Sequence, residues 1–535
     1  MKRRGVLHLL IALSAVTLQA QDQLPVAVDH PVYRLIEMCA IRGLIPSASA
    51  IKPYTRREVG EYLSAAMANA GSLTRAELSI LENTYAEFKI PASNADVVIN
   101  EESEAGLGFS DTLSVHSVNG IDAGIVGSLG VAFSYDLNAG ILLDKADPGA
   151  FPPFEFTKSW DGFHIWFDEA GSVVSDGITQ YPGISFRSLP ALSLDILDAM
   201  ANVQFTRIRR DWGIGEGSLS LSSTARPILA MSGGIRPVSW ANLSFLSGTL
   251  GDWRDLFGGQ AMLSLHRLEL FPFEWLYLSA WESVVWAKRM ELIYLNPLMI
   301  YAIGQRITGD LDNIALGGEV AVTLSPFVRM YFSLFIDEIA LSPLDQLFTR
   351  ANNQFAWQAG AKAPVPWVPW SLFIVQYTKI EPYCYTHYPQ SLPQYVAPVD
   401  IGFSNDGENI GYHLPPNSDE LLVRLSARLA EWEAAAQYQL VRHGTGDHLL
   451  GQIEGDMDIP LIYNPYTPYP PKSFLNDGIY ERLHIGRLRL SCEIGEIRAK
   501  AWTEYVFINA VNYGNIAGND MVINLIRLGL RFLLV

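Results

Sequence analysis

Few residue groupings in this chain could do chemistry. Gly213-Ile214-Gly215-Glu216-Gly217 has the glycine density of a phosphate cradle. A dinucleotide fingerprint, however, needs its third glycine one position later and a βαβ unit around it, so the segment reads as a hairpin turn. His443 and His448 flank Gly444-Thr445-Gly446-Asp447, where two imidazoles could ligate a metal. The glycines between them instead indicate a turn at a strand end. Paired carboxylates would suit glycoside hydrolysis, and Asp310 with Asp312, or Asp337 with Glu338, lie close in sequence. Adjacent residues of a strand point to opposite faces, which denies Asp337 and Glu338 a shared substrate; loop solvation and strand termination account for both pairs. There is no Gly-x-Ser-x-Gly elbow, phosphate loop or His-Glu-x-x-His. The search for catalytic groups is therefore mostly negative, and no metal site is expected.

Binding chemistry is better represented. Residues 363–398 and 460–474 are dense in Pro, Tyr and Trp. Tyrosine rings stack on the C–H faces of sugars while their hydroxyls bond to sugar hydroxyls. Tyr383, Tyr385, Tyr388, Tyr463, Tyr466 and Tyr469 are therefore candidate polysaccharide contacts. The other account of these rings is an interface girdle, or packing of the loops on one another. Proline is excluded from the middle of a paired strand, so both segments include long loops, with a strand over 372–377.

The elements that must carry these loops are strands. Met330, Phe332, Leu334 and Ile336 alternate with Arg329, Tyr331, Ser333, Phe335 and Asp337. The same period of two recurs over 421–429, 497–507 and 526–534, each about the length that a tilted strand needs to cross a membrane. A soluble β-sandwich would alternate too, but Arg and Glu beside small residues on the polar face suit a lumen. Ahead of the strands, residues 29–92 read as helices: Val32, Leu35, Ile36 and Cys39 keep helical spacing, with Gly43 as a stop. Thr55-Arg56-Arg57-Glu58 and Thr74-Arg75-Ala76-Glu77 are capping boxes.

The 535 residues are 49% hydrophobic and 18% charged, with 38 basic against 56 acidic side chains. This balance excludes a disordered chain and disfavours nucleic-acid binding. Lys2, Arg3 and Arg4, then an apolar stretch from Val6 to Leu18 and Ala20 at the cut, read as a secretory signal peptide over 1–20. Three widely spaced cysteines make no disulfide framework. Past the leader no run of 18 apolar residues offers a spanning helix. The expectation is an all-β fold: a transmembrane antiparallel β-barrel of about 18 strands over 96–535, behind a periplasmic α-helical module over 21–95.

Several short pieces carry a family resemblance. They are Trp212-Gly213, Leu219-Ser220-Leu221-Ser222 and Ala225-Arg226-Pro227; His266-Arg267-Leu268-Glu269 and Glu282; Leu295-Asn296-Pro297-Leu298; Asp310-Leu311-Asp312-Asn313; Phe335-Ile336-Asp337-Glu338; and Gly411-Tyr412-His413 with Arg442-His443-Gly444. In this order the chain resembles the capsule assembly Wzi-like outer-membrane protein family. The resemblance implies an 18-stranded outer-membrane barrel with a periplasmic helical bundle, acting without catalysis as a lectin that retains capsular polysaccharide or exopolysaccharide. It implies outer-membrane lipid and the barrel-insertion machinery as further partners. One departure is the chain end, where Leu533, Leu534 and Val535 follow Phe532.

His266, Arg267, Glu269, Glu282, Asn296, Asp312, Asn313 and Asp337 are polar groups that such a barrel would gather as a lumen network closing the pore, with ligand contact as the alternative role. Two other functions fit an exported barrel or glycan-handling chain: an outer-membrane porin or transporter, and an exported glycan-processing enzyme.

Overall fold

The computed structural model describes residues 23–89, 95–110, 113–129, 132–146, 161–167, 173–174, 183–196, 200–251, 261–289, 291–309, 311–339, 344–349, 353–387, 399–405, 408–444, 474–475, 479–494 and 499–534. The leader expected over 1–20 lies outside them. Three helices come first: α1 (Val32–Ile41), α2 (Arg56–Ala68) and α3 (Arg75–Lys89). Both capping boxes form. Thr55 and Glu58 exchange side-chain and backbone bonds, and Thr74 does the same with Glu77.

Eighteen long antiparallel strands follow. They are β1 (Ala95–Phe109), β2 (Leu113–Leu129), β3 (Phe133–Ala146), β4 (Gly183–Ile196), β5 (Ala201–Ile208) and β6 (Ile228–Val238). Next come β7 (Ala241–Thr249), β8 (Ala261–Phe273), β9 (Leu276–Ala287), β10 (Asn313–Leu324), β11 (Val328–Glu338) and β12 (Gln354–Pro364). The last six are β13 (Ser371–Ile380), β14 (Ser418–Leu429), β15 (Trp432–Gly444), β16 (Tyr480–Ile494), β17 (Ala499–Val511) and β18 (Met521–Leu534). Each pairs with its neighbour in sequence, and β1 pairs with β18 from Ile99↔Leu534 to Phe109↔Asn524, closing the sheet into a barrel. A closed sheet has no unpaired edge, which is what allows strands to sit in hydrocarbon. No helix among the described residues is long and apolar enough to cross a membrane.

The alternation sorts side chains as β11 predicts. Arg329, Tyr331, Ser333, Phe335 and Asp337 are buried in the bore, while Met330 and Phe332 are exposed on the outer wall. Around the barrel Ile121, Ile141, Phe205, Phe373, Leu488, Phe507 and Leu528 continue this apolar exterior. The two ends differ. Connections at one end are short, such as 274–275, 325–327 and 430–431; those at the other include 288–312, 381–417 and 445–479. Outer-membrane barrels place short turns in the periplasm and long loops outside. The helical module packs on the short-turn end, where Gly43 meets Ser325 and Arg57 pairs with Asp195.

The structure departs from two sequence expectations. Residues 365–370 are a tight turn at the short-turn end rather than part of a long outer loop. The proline-rich stretch is short enough to join β12 to β13 directly, and Trp370 donates its indole N–H to the Glu77 carbonyl of α3. Likewise, residues 213–217 form no hairpin turn. They belong to the 209–227 connection between β5 and β6, which enters the bore and pairs Ile51↔Trp212 with the helical module.

Candidate functional site

The bore is occupied from both ends. From the short-turn end, residues 49–50 of the helical module reach Glu269 on β8, which accepts bonds from the Ser49 hydroxyl (2.6 Å) and the Ala50 N–H (2.7 Å). Tyr277 Oη (3.0 Å) and Asn242 Nδ2 (2.8 Å) also donate to this carboxylate. Four donors satisfy a fully buried charge that would otherwise cost several kcal/mol. Next to it Arg267, also without exposure, pairs with Glu319 and donates to Ser279 Oγ at 2.8 Å and to the Trp212 carbonyl.

The 209–227 segment crosses the middle of the bore. The Gly213 N–H donates to the Ala50 carbonyl at 3.1 Å. Glu216 accepts from Lys362 at 3.1 Å and pairs with Arg424, and Lys362 also reaches Glu37 of α1 at 2.7 Å. Gln376 Oε1 accepts the Glu216 N–H at 2.8 Å, and Gln358 donates to the Gly217 carbonyl at 3.0 Å. A Cβ on Gly215 would lie 2.7 Å from Gln358 Oε1 and 2.8 Å from Gln376 Oε1, so both amides would have to shift to admit it. One carboxylate thus joins the plug to two wall strands on either side of β13 and, through Lys362, to the helical module.

At the long-loop end, residues 381–387, 399–405 and 408–417 fold into the mouth. The Tyr385 ring packs 4.7 Å from Phe335 and 5.9 Å from Phe403, and its hydroxyl donates to the Leu219 carbonyl at 3.0 Å. The Ser222 N–H donates to the Ile410 carbonyl at 2.9 Å, fixing this outer loop on the plug. Tyr383 and Tyr385 have φ of 67° and 73°, a left-handed conformation costing an L residue roughly 1–2 kcal/mol. Burial of both side chains in the mouth holds them there.

The eight polar candidates do not form one set. Arg267, Glu269, Asn313 and Asp337 point into the bore, where Asn313 donates to the Ile401 carbonyl and Asp337 accepts the Tyr385 N–H, each at 3.0 Å. His266 and Glu282 do not belong to the lumen. Their strand neighbours Leu265, Arg267, Trp281 and Ser283 are buried in the bore, so the pleat turns His266 and Glu282 to the outer wall. They face each other across β8 and β9 at 3.4 Å. Asn296 lies exposed in the 288–312 loop, its side chain bonded to the Leu298 N–H. Asp312 serves that loop too, accepting from Arg289 and Tyr294.

Tyr383 and Tyr385 are buried at 4% and 0% exposure, so neither presents a ring face to an external sugar. Tyr388, Tyr463, Tyr466 and Tyr469 lie outside the described residues. Sequence reasoning missed Glu216, Glu319, Gln358, Lys362, Gln376 and Arg424, which hold the plug. Their inward position on alternating strands was the available signal for the wall residues; for Glu216 there was none. Among the described residues, no group of three or more His, Cys, Asp or Glu could hold a metal ion.

No protein-family model matches the chain, and no curated protein matches it. Among solved structures, OpdK of Pseudomonas aeruginosa with vanillate is 11% identical, covers 82% of this chain and 98% of its own, and has a TM-score of 0.45, a loose likeness. The chain is more similar to Wzi of Escherichia coli, described as an outer-membrane protein involved in group 1 capsule assembly and a carbohydrate-binding β-barrel. That comparison covers 95% of this chain and 99% of the other with a TM-score of 0.59, at 13% identity, and it establishes a shared fold.

Proposed function

We propose that this protein is a non-enzymatic outer-membrane barrel that holds capsular polysaccharide or exopolysaccharide at the cell surface through its outer loops. The observation carrying this reading is the filled bore: Glu216, Arg267 and Glu269 tie the wall to chain segments from both mouths. A bore spent on internal bonding leaves the outer loop surface as the place to engage a ligand. The fold shared with a barrel described as carbohydrate-binding supports the same choice.

The sugar contacts we assign are Tyr388, Tyr463, Tyr466 and Tyr469, in the connections from β13 to β14 and from β15 to β16 at the long-loop end. Tyr383 and Tyr385 are assigned instead to holding the mouth closed. The test replaces Tyr463, Tyr466 and Tyr469 by Ala together and measures surface-retained polysaccharide. Retention should drop while the purified barrel keeps its heat-dependent shift in gel mobility. Undiminished retention by a correctly folded variant would remove the lectin reading.

A further inference from the structure

The 288–312 connection between β9 and β10 does not rise away from the barrel. It folds back over the outside of the wall. Glu282, Val284 and Trp286 face outward from β9, yet are 9%, 0% and 0% exposed. They are covered by two short helices, α4 (Leu292–Leu295) and α5 (Tyr301–Thr308). Tyr294 packs 5.1 Å from Trp286, and Tyr301 lies 4.4 Å from His266 on β8. The Glu282 carboxylate accepts the first N–H groups of α5, from Tyr301 and Ala302, each at 2.7 Å. Arg289, Tyr294 and Gln305 bond to Asp312, tying the two ends of the loop together. Glu282 and Asp312 thus spend their oxygens on bonds between loop and wall or within the loop.

What the loop turns outward is mostly apolar, with Asn296 and Arg306 exposed among the apolar side chains. Leu292, Leu298, Ile300, Ile303 and Ile307 are exposed by 71, 74, 55, 52 and 69%. Their height along the barrel is set by register. Glu282 lies directly opposite Leu316 of β10, and Leu316 opposite Ile336 of β11. Leu316 is 44% exposed on the lipid-facing wall, and Leu268, two residues from His266 on the same face, is 41% exposed. The covered polar patch therefore begins within the apolar exterior, and the loop's outer face continues it.

We propose that residues 288–312 form a clasp embedded among the acyl chains of the outer leaflet, lining the barrel wall and shielding Ser264, His266 and Glu282 from hydrocarbon. Glu282 is the latch: an ionised carboxylate facing lipid is costly unless paired, and α5 supplies backbone donors with the positive end of its dipole. With those donors in place the wall tolerates a charge at that depth, and the apolar face gains an occupant.

The test uses the full chain with Cys492→Ser and Ile303→Cys, labelled with bimane and reconstituted in phosphatidylcholine vesicles. Bromine-substituted acyl chains should reduce the fluorescence, and aqueous iodide should leave it unchanged. Glu282→Ala, with the barrel still heat-modifiable, should shift the label toward iodide quenching as the clasp lifts. Ile307→Cys repeats the measurement if the first label site disturbs folding. Quenching by iodide in the unaltered clasp would overturn the proposal. So would protection from both quenchers with cross-linking between copies, which would make a second protein chain the occupant.

Discussion

Arg267 and Glu319 show what a buried charge does in this bore. Neither has water to fall back on, and each is held by the other and by neighbouring hydroxyls. Arg267→Ala leaves Glu319 uncompensated, and should destabilise the barrel by about 3–5 kcal/mol, read as a lower temperature for the gel-mobility transition. Arg267→Met combined with Glu319→Leu should recover most of that loss; no recovery would mean the pair contributes more than mutual compensation. In the helical module, burial tends to raise the pKa of Glu77, but bonds from Arg42 and Thr74 outweigh it and leave the pKa below the usual glutamate value. A lowered carboxylate stabilises the fold above its ordinary pKa and loses that contribution as pH falls through the lowered one. The difference in thermal midpoint between the native protein and Glu77→Gln should be full at neutral pH and close below about pH 4. At this scale the sequence was partly legible. The pairing of His266 with Arg267 in one lumen network was refutable from strand parity alone, because adjacent residues cannot share a face. The partners of Glu216 were not legible, because loops without a period carry no register.

Among the elements, α2 and the 381–417 loop make contrasting cases. The Thr55 capping box was readable because cap chemistry is local: Thr, then Glu three residues on, satisfies backbone N–H groups without tertiary help. Thr55→Ala should cost about 1 kcal/mol and speed amide exchange over the first turn of α2, with the strands unaffected. The descent of the described parts of this loop, 381–387, 399–405 and 408–417, into the mouth was illegible, because Pro and Tyr report a loop and not its direction. Its seat depends on Gly411, where an added Cβ would lie 2.3 Å from the Leu219 carbonyl oxygen and 2.7 Å from the Tyr385 hydroxyl. Gly411→Val should loosen this outer closure and raise proteolytic cleavage within 381–417, while the barrel strands stay protected. Cleavage as slow as in the native protein would show that the loop is held elsewhere. The β9–β10 loop belongs with this case: its apolar residues were visible in sequence, but their placement outside the wall depends on Glu282, a contact set by strand parity.

For the whole molecule, the barrel itself was the most legible feature. Alternation along β11, β14, β17 and β18 needed no tertiary knowledge, and the pairing of β1 with β18 follows from having no edge in the membrane. The plug was hidden for the opposite reason, since it is built from long-range bonds between segments such as Ala50 with Gly213 and Lys362 with Glu216. Those bonds make the account's central claim, that the protein's own chain fills the bore and the outer loops do the binding. Planar-bilayer recording tests it most directly. The purified native barrel should show no sustained open conductance, and a variant with 213–219 replaced by a short Gly-Ser linker should conduct steadily. A native protein that conducts as a wide open pore, with the linker variant no different, would contradict it.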